Sequence, residues 1–210
     1  MNVPENYNEA TPSALAKWVF LNSPEGRRWA ARRDEQSENA VSERLRLGSL
    51  NHIKIEELKL RFQNKFARLN DDYEVAFVDD GQTTTNLFAS QLLYRGTPFS
   101  CRPDLVLMNK KLNHVIIVER KTTNLDIFFV PNKGYLNWRI QLWCYSFIDK
   151  FIGFDRITMA WELWYNDNNN IIPSDKRYTF EKSDKHYENE FLYHFKRYGG
   201  KIKENIAFTL

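Results

Sequence analysis

Two short apolar runs, Leu105-Val106-Leu107-Met108 and Val115-Ile116-Ile117-Val118, flank a polar stretch at 109–113 and constrain this chain more than any other feature. Apolar runs of that length, bounded by Asn and Lys, predict a mostly buried β-hairpin. Asp104 precedes the first run and Glu119 follows the second, and their midpoint falls between Lys111 and Leu112. A turn there brings Asp104 opposite Glu119, or one residue out of register. Directly opposed Cβ atoms sit roughly 4.5–5.5 Å apart, and like charges so placed are destabilising. Side chains alternate along a strand, so Ile117, Glu119 and Lys121 share one face while Val118 and Arg120 share the other. Paired carboxylates push one pKa up unless a cation holds both ionised. A divalent metal removes that cost, and hard oxygen ligands suit Mg²⁺ or Mn²⁺.

Two further stretches join the hairpin. Pro103-Asp104 and Glu119-Arg120-Lys121 are preceded by Gly48-Ser49-Leu50-Asn51-His52 and followed by Gln141-Leu142-Trp143-Cys144-Tyr145. In order and spacing, these G-x-x-x-H, P-D, E-x-K and Q-x-x-x-Y motifs resemble the RecB-type exonuclease branch of the PD-(D/E)XK nuclease superfamily, over about residues 48–165. The resemblance implies an α/β fold with a restriction-endonuclease-like core, a central mixed β-sheet flanked by helices. It also implies a metal held by His52, Asp104, Glu119 and the backbone carbonyl of Arg120. Lys121 would orient or activate the attacking water and stabilise developing negative charge. Gln141 and Tyr145 would either position the nucleotide or support the metal ligands. Arg102, Thr122 and Arg139 flank the site as weaker candidates for phosphate contacts.

Length and composition are compatible with this reading. At 210 residues, 42% hydrophobic and 15% aromatic, the chain can bury one sizeable core. A net charge of +3 neither demands nor opposes a polyanionic partner. The 2 cysteines, Cys101 and Cys144, fit neither a zinc site nor a disulfide framework. They are also too few for the iron–sulfur cluster of some RecB-type nucleases, so none is expected. The N-terminal MNVPENYNEA lacks the apolar core of a secretory signal, and apolar runs are too short to span a membrane. An intracellular protein is expected.

Taken in order, residues 1–11 read as an irregular lead-in and 12–47 as a helical extension, with Ser23-Pro24 as N-cap and first-turn proline. The arginines at 27–33 around Trp29 read either as a phosphate-contacting face or, preferably, as a solvated helix face with Trp29 buried. A second long helix is expected over 49–69, carrying His52 and Glu56 on one face. Taken alone, His52 reads as structural or exposed; in this set of motifs it reads as a ligand, and imidazole suits Mn²⁺ better than Mg²⁺. A strand is expected at Tyr73–Val78 and a turn at Asp80-Gly81. A second strand over 86–94 is expected beside the hairpin, reached through Gly96-Thr97-Pro98. The patch Ile127-Phe128-Phe129-Val130 either guards the cleft or packs, and packing is the simpler reading.

A helix over 135–151 should carry Leu136, Ile140, Trp143 and Phe147 on an apolar stripe, with Gln141 and Tyr145 together on another face. A strand at Arg156–Tyr165 should pack against it. An exposed Asn-rich turn at 166–170, a last strand near 178–180 and a helix over 183–198 complete the chain. The domain organisation is then a helical extension at 1–47, a nuclease core at 48–182 and a C-terminal helix within 183–210 packed on it.

The function expected is a Mg²⁺- or Mn²⁺-dependent deoxyribonuclease, an exonuclease by family analogy, acting on single-stranded DNA or DNA with free ends. Recombination, repair, phage biology or defence are the settings that the resemblance implies, with room for a protein partner or a homo-oligomer. The alternative is a catalytically silent nuclease-fold module that binds nucleic acid or assembles with another protein.

Overall fold

The computed structural model describes residues 10–33, 73–79, 88–123, 129–167 and 170–203. Gly48, His52, the expected helix over 49–69, the Asp80-Gly81 turn, Ile127-Phe128, Asn168-Asn169 and the Trp29 side chain lie outside the described structure.

The chain is an α/β protein. Its central mixed sheet has five strands in the order β1-β4-β5-β6-β7, flanked by helices. These strands are β1 (Glu74–Val78), β4 (Leu105–Asn109), β5 (His114–Thr123), β6 (Arg156–Asp167) and β7 (Asn170–Glu181). The β1/β4, β4/β5 and β6/β7 pairs are antiparallel, whereas β5 and β6 run parallel. A parallel step needs a long crossover, and helix α3 (Leu136–Tyr145) lies within it. The hairpin β4/β5 pairs Leu105 with Val118 and Asn109 with His114. That is the register with Asp104 opposite Glu119.

Both faces of β4 and β5 are covered, which is why their sequences are continuous apolar runs rather than alternating ones. The larger core takes Val106, Val115, Ile117, Ile157, Met159, Trp161 and Leu163 from one face. The smaller takes Leu105, Leu107, Ile116, Val118 and Ala160 from the other. On the larger-core face sit α3, α1 (Pro12–Leu21) and α4 (Lys185–Tyr198), contributing Leu15, Val19, Ile140, Trp143, Phe191 and Phe195. Thr11 caps α1, its hydroxyl accepting from Ala14 N at 3.1 Å. Ser23 accepts from Gly26 N at 3.0 Å and starts α2 (Pro24–Arg33), whose Arg27 and Arg28 are exposed. Asp184 caps α4 through His186 N at 2.9 Å, and Gly199 ends it with φ 93, a left-handed conformation that costs glycine little. Among the described residues no helix is long and apolar enough to cross a membrane.

Four expectations need correction. The segment after 86 does not lie beside the hairpin; β1 does. Strand β2 (Phe88–Tyr94) instead joins β3 (Thr97–Cys101) and β8 (Gly200–Ile202) in a separate three-stranded sheet, ordered β3-β2-β8. Its turn is at Arg95-Gly96, with φ 50 and 84, so Thr97 and Pro98 belong to a strand. Pro98 is tolerated because β3 is at the sheet edge, where a missing N–H breaks no ladder.

The helix expected to reach 151 ends at Tyr145. There β2 captures the chain: Gln91 N and Ser90 Oγ both donate to Phe147 O, at 2.9 and 3.0 Å, and a 3₁₀ turn follows at Asp149–Phe151. The short strand expected near 178–180 is the twelve-residue edge strand β7, which accommodates Pro173 beside a register shift.

Candidate active site

The β4/β5 ladder stops at Leu105 and Val118, while β5 continues beside β6 as far as Thr123. Among the described residues, 119–121 therefore have a strand neighbour on one side only. On the other side the Asp104 side chain stands in for the missing strand, its Oδ2 accepting from Arg120 N at 2.5 Å. Within one residue of an extended strand, N–H and C=O point to the same side. The Arg120 carbonyl thus points towards the Asp104 side of the strand.

Four polar side chains meet on the α3 face. Lys121 Nζ donates to Glu119 Oε1 and to Gln141 Oε1, both at 2.7 Å. Gln141 Nε2 donates to Glu119 Oε1 at 2.8 Å and lies 3.0 Å from Tyr145 OH. Helical spacing puts Gln141 and Tyr145 on the same side of α3, so one helix supplies both. That side is buried like the apolar stripe, because α3 is enclosed from Ile140 to Tyr145. Glu119 is 5% exposed and Asp104 7%. Nevertheless, Glu119 Oε2 has no hydrogen-bond partner among the described residues.

Burial, then the Asp104 charge, push the Glu119 carboxyl up to about 7, against the opposing pull of Lys121 and Tyr145. Burial, reinforced by Glu119 and Asp104, holds the Tyr145 phenol well above its ordinary value, so it stays protonated. A buried carboxylate oxygen without a donor, facing a second carboxylate, fits a divalent cation with oxygen ligands. Asp104 and Glu119 are the described carboxylates for it. Among the described residues no group of three or more His, Cys, Asp or Glu gathers as a metal site, and His52 lies outside them.

The flanking candidates are placed less directly. Arg102 pairs with Asp79 at 2.6 Å. Arg139 is held by Glu190 of α4, with contacts of 2.8 and 3.0 Å. Thr122 follows the strand alternation onto the Arg120 face, away from the two carboxylates. Phe129 is exposed whereas Val130 is buried in the core, so the aromatic patch divides. Two contacts carry no signal in the sequence: Ser13 Oγ, at 3.4 Å from Gln141 Nε2, and Glu162 Oε1, at 2.5 Å from Arg120 Nε. Both come from elements whose alignment with the site only tertiary packing sets.

No family model matches the sequence, and no curated protein matches it. The solved structure of SSO0001 is similar over 93% of this chain and 77% of its own, at 16% identity and a TM-score of 0.41. A likeness that loose carries no argument about chemistry.

Proposed function

We propose that the protein is a Mg²⁺- or Mn²⁺-dependent deoxyribonuclease of the PD-(D/E)XK type, acting inside the cell on single-stranded DNA or DNA with free ends. The observation that carries the reading is the opposed pair Asp104 and Glu119, with a partnerless buried oxygen and Lys121 bonded alongside. The architecture also supports it: antiparallel β1, β4 and β5, then helix α3, then β6 parallel to β5, make a mixed sheet flanked by helices of the kind the resemblance implies.

Asp104, Glu119 and the Arg120 carbonyl would hold the metal, with His52 as the remaining ligand that the motif set implies. When bound, the metal supplies neutralising charge and acidifies a coordinated water. The chain's own residues do the rest. The Lys121 ammonium, fixed between Glu119 and Gln141, presents a positive charge beside the carboxylates, suited to hold a water for attack on the scissile phosphate and to offset charge on the phosphoryl oxygens. Gln141 ties the Lys121 and Glu119 side chains together through its two amide atoms, and protonated Tyr145 braces that amide from one turn along α3.

The test is incubation of linear, circular, single-stranded and double-stranded DNA with Mg²⁺ or Mn²⁺, alongside folded Lys121→Ala and Glu119→Ala proteins. Divalent-dependent degradation of substrates with ends, reduced at least ~10³-fold in Lys121→Ala, is the expected result. Unchanged turnover by Lys121→Ala would sink the assignment. Salt-sensitive DNA binding with no cleavage under any metal would favour the silent module instead.

A further inference from the structure

Residue 120 supplies two main-chain groups to the site, yet its side chain leaves on the opposite face of the sheet. There the Arg120 Nε donates to Glu162 Oε1 at 2.5 Å, with side chains only 7% and 14% exposed. Arg120 and Glu162 are direct partners in the parallel β5/β6 register, so the guanidinium needs no reach to find its acceptor. Trp164 Nε1 lies 3.3 Å from that same oxygen and limits how Glu162 can turn.

We propose that Glu162 is a positioning residue for the metal site, acting through Arg120 from the far side of the sheet. This rests on the metal-dependent reading above. The physical argument starts from the one-sided ladder: among the described residues, β5 beyond Val118 is held by β6 alone, and its Asp104 side has no second strand to fix where the Arg120 main-chain groups point. The Asp104 carboxylate stands in for that strand with a single bond, to the Arg120 N–H, and one bond to a side chain restrains less than a ladder does. The Arg120–Glu162 pair restrains the same α-carbon from the opposite face. It thereby sets where the Arg120 N–H meets Asp104 Oδ2 and where the Arg120 carbonyl points. Groups one bond removed from a metal's ligands commonly alter affinity by about 10–100-fold when lost.

Two variants and two readouts test this. Glu162→Leu removes the acceptor; Glu162→Gln keeps an amide oxygen and is the safer fold, because stripping one member of a buried pair is strongly destabilising. Mn²⁺ affinity is measured by calorimetric titration of each folded protein. Hydrogen exchange of the Arg120 amide is followed by NMR in the metal-free proteins, with the Ile117 amide as an internal control. Expected are Mn²⁺ binding weakened about 10–100-fold in Glu162→Leu and by a smaller factor in Glu162→Gln. Exchange at Arg120 should accelerate while that at Ile117 does not.

Wild-type Mn²⁺ affinity in the folded variants would overturn the inference. Should Glu162→Leu not fold, Glu162→Gln alone decides, and unchanged affinity there has the same consequence. If the wild type binds no Mn²⁺, the metal-dependent reading fails; the positioning role is then decided by Arg120 exchange, and unchanged exchange overturns it.

Discussion

At the scale of the residue, the sharpest consequence lies in the Glu119 carboxyl. Its folded-state value of about 7 is above the ordinary 4.5. A raised carboxyl contributes stability that is present below pH 4.5 and lost as pH rises through 7, because ionisation is disfavoured only in the fold. Metal-free protein at pH 8 therefore carries a cost of order 3 kcal/mol at this residue. Glu119→Gln should recover much of it, less what Lys121 loses with its carboxylate partner, so the metal-free variant melts higher than wild type at pH 8 and no higher at pH 4.5. Mn²⁺ at about 100 times its dissociation constant should stabilise the wild type by about 2.7 kcal/mol and leave Glu119→Gln unmoved. Calorimetric melting at both pH values, with and without Mn²⁺, checks every part of this. Asp104, Glu119 and Lys121 were legible in the sequence because a two-residue period and one short turn fix a hairpin's register almost by arithmetic. Ser13 and Glu162 were not, because no spacing rule relates α1 or a parallel strand to that hairpin.

At the scale of the element, polar contacts tie strands together far from the carboxylates. Tyr73 OH lies 2.5 Å from His114 Nδ1, and His114 Nε2 lies 2.8 Å from Thr158 Oγ1. Thr158 donates in turn to Glu181 Oε1 at 2.8 Å, which Arg156 also contacts at 2.7 Å. Since Thr158 spends its proton on Glu181, His114 must donate from Nε2 and accept from Tyr73 at Nδ1, as a neutral ring. The chain of bonds joins the lead-in to β1 with β5, β6 and β7. Burial, then Arg156, hold the His114 imidazole below its ordinary value, against Glu181. A lowered histidine contributes stability that is complete above pH 6.5 and falls as pH drops towards the folded-state value. Urea unfolding of wild type minus His114→Gln should show that loss as pH falls below 6.5; subtraction removes the opposite trend from Glu119. A difference independent of pH would contradict the assigned proton positions. Two strands were misread because they lie at sheet edges: β3 offers only Phe99 and Cys101 as buried apolar residues, and most of β7 shows no apolar alternation.

At the scale of the whole molecule, the helices outside the hairpin and its crossover are part of one packing unit with it. Leu15 and Val19 of α1, Trp143 of α3 and Phe191 and Phe195 of α4 share a continuous core with β5 and β6. Phe191 stacks on Trp143 at 6.3 Å and on Phe147 at 5.6 Å, and Phe195 meets Phe99 of the smaller sheet at 5.7 Å. Helix α4 is thus the wedge between the two sheets, and its last turn leads directly into β8, which closes the smaller one. Removing residues after Lys182 would strip Tyr187, Phe191, Phe195 and Tyr198 from the core. At about 1.5–3 kcal/mol for each large apolar side chain, that loss is comparable to the about 5–15 kcal/mol that keeps a domain folded. The truncated chain should therefore unfold without a cooperative transition, expose apolar surface to a dye such as ANS, and bind no Mn²⁺ although Asp104, Glu119 and Lys121 are all retained. A sharp thermal transition with wild-type Mn²⁺ affinity would show instead that the hairpin and its crossover hold the site without α4.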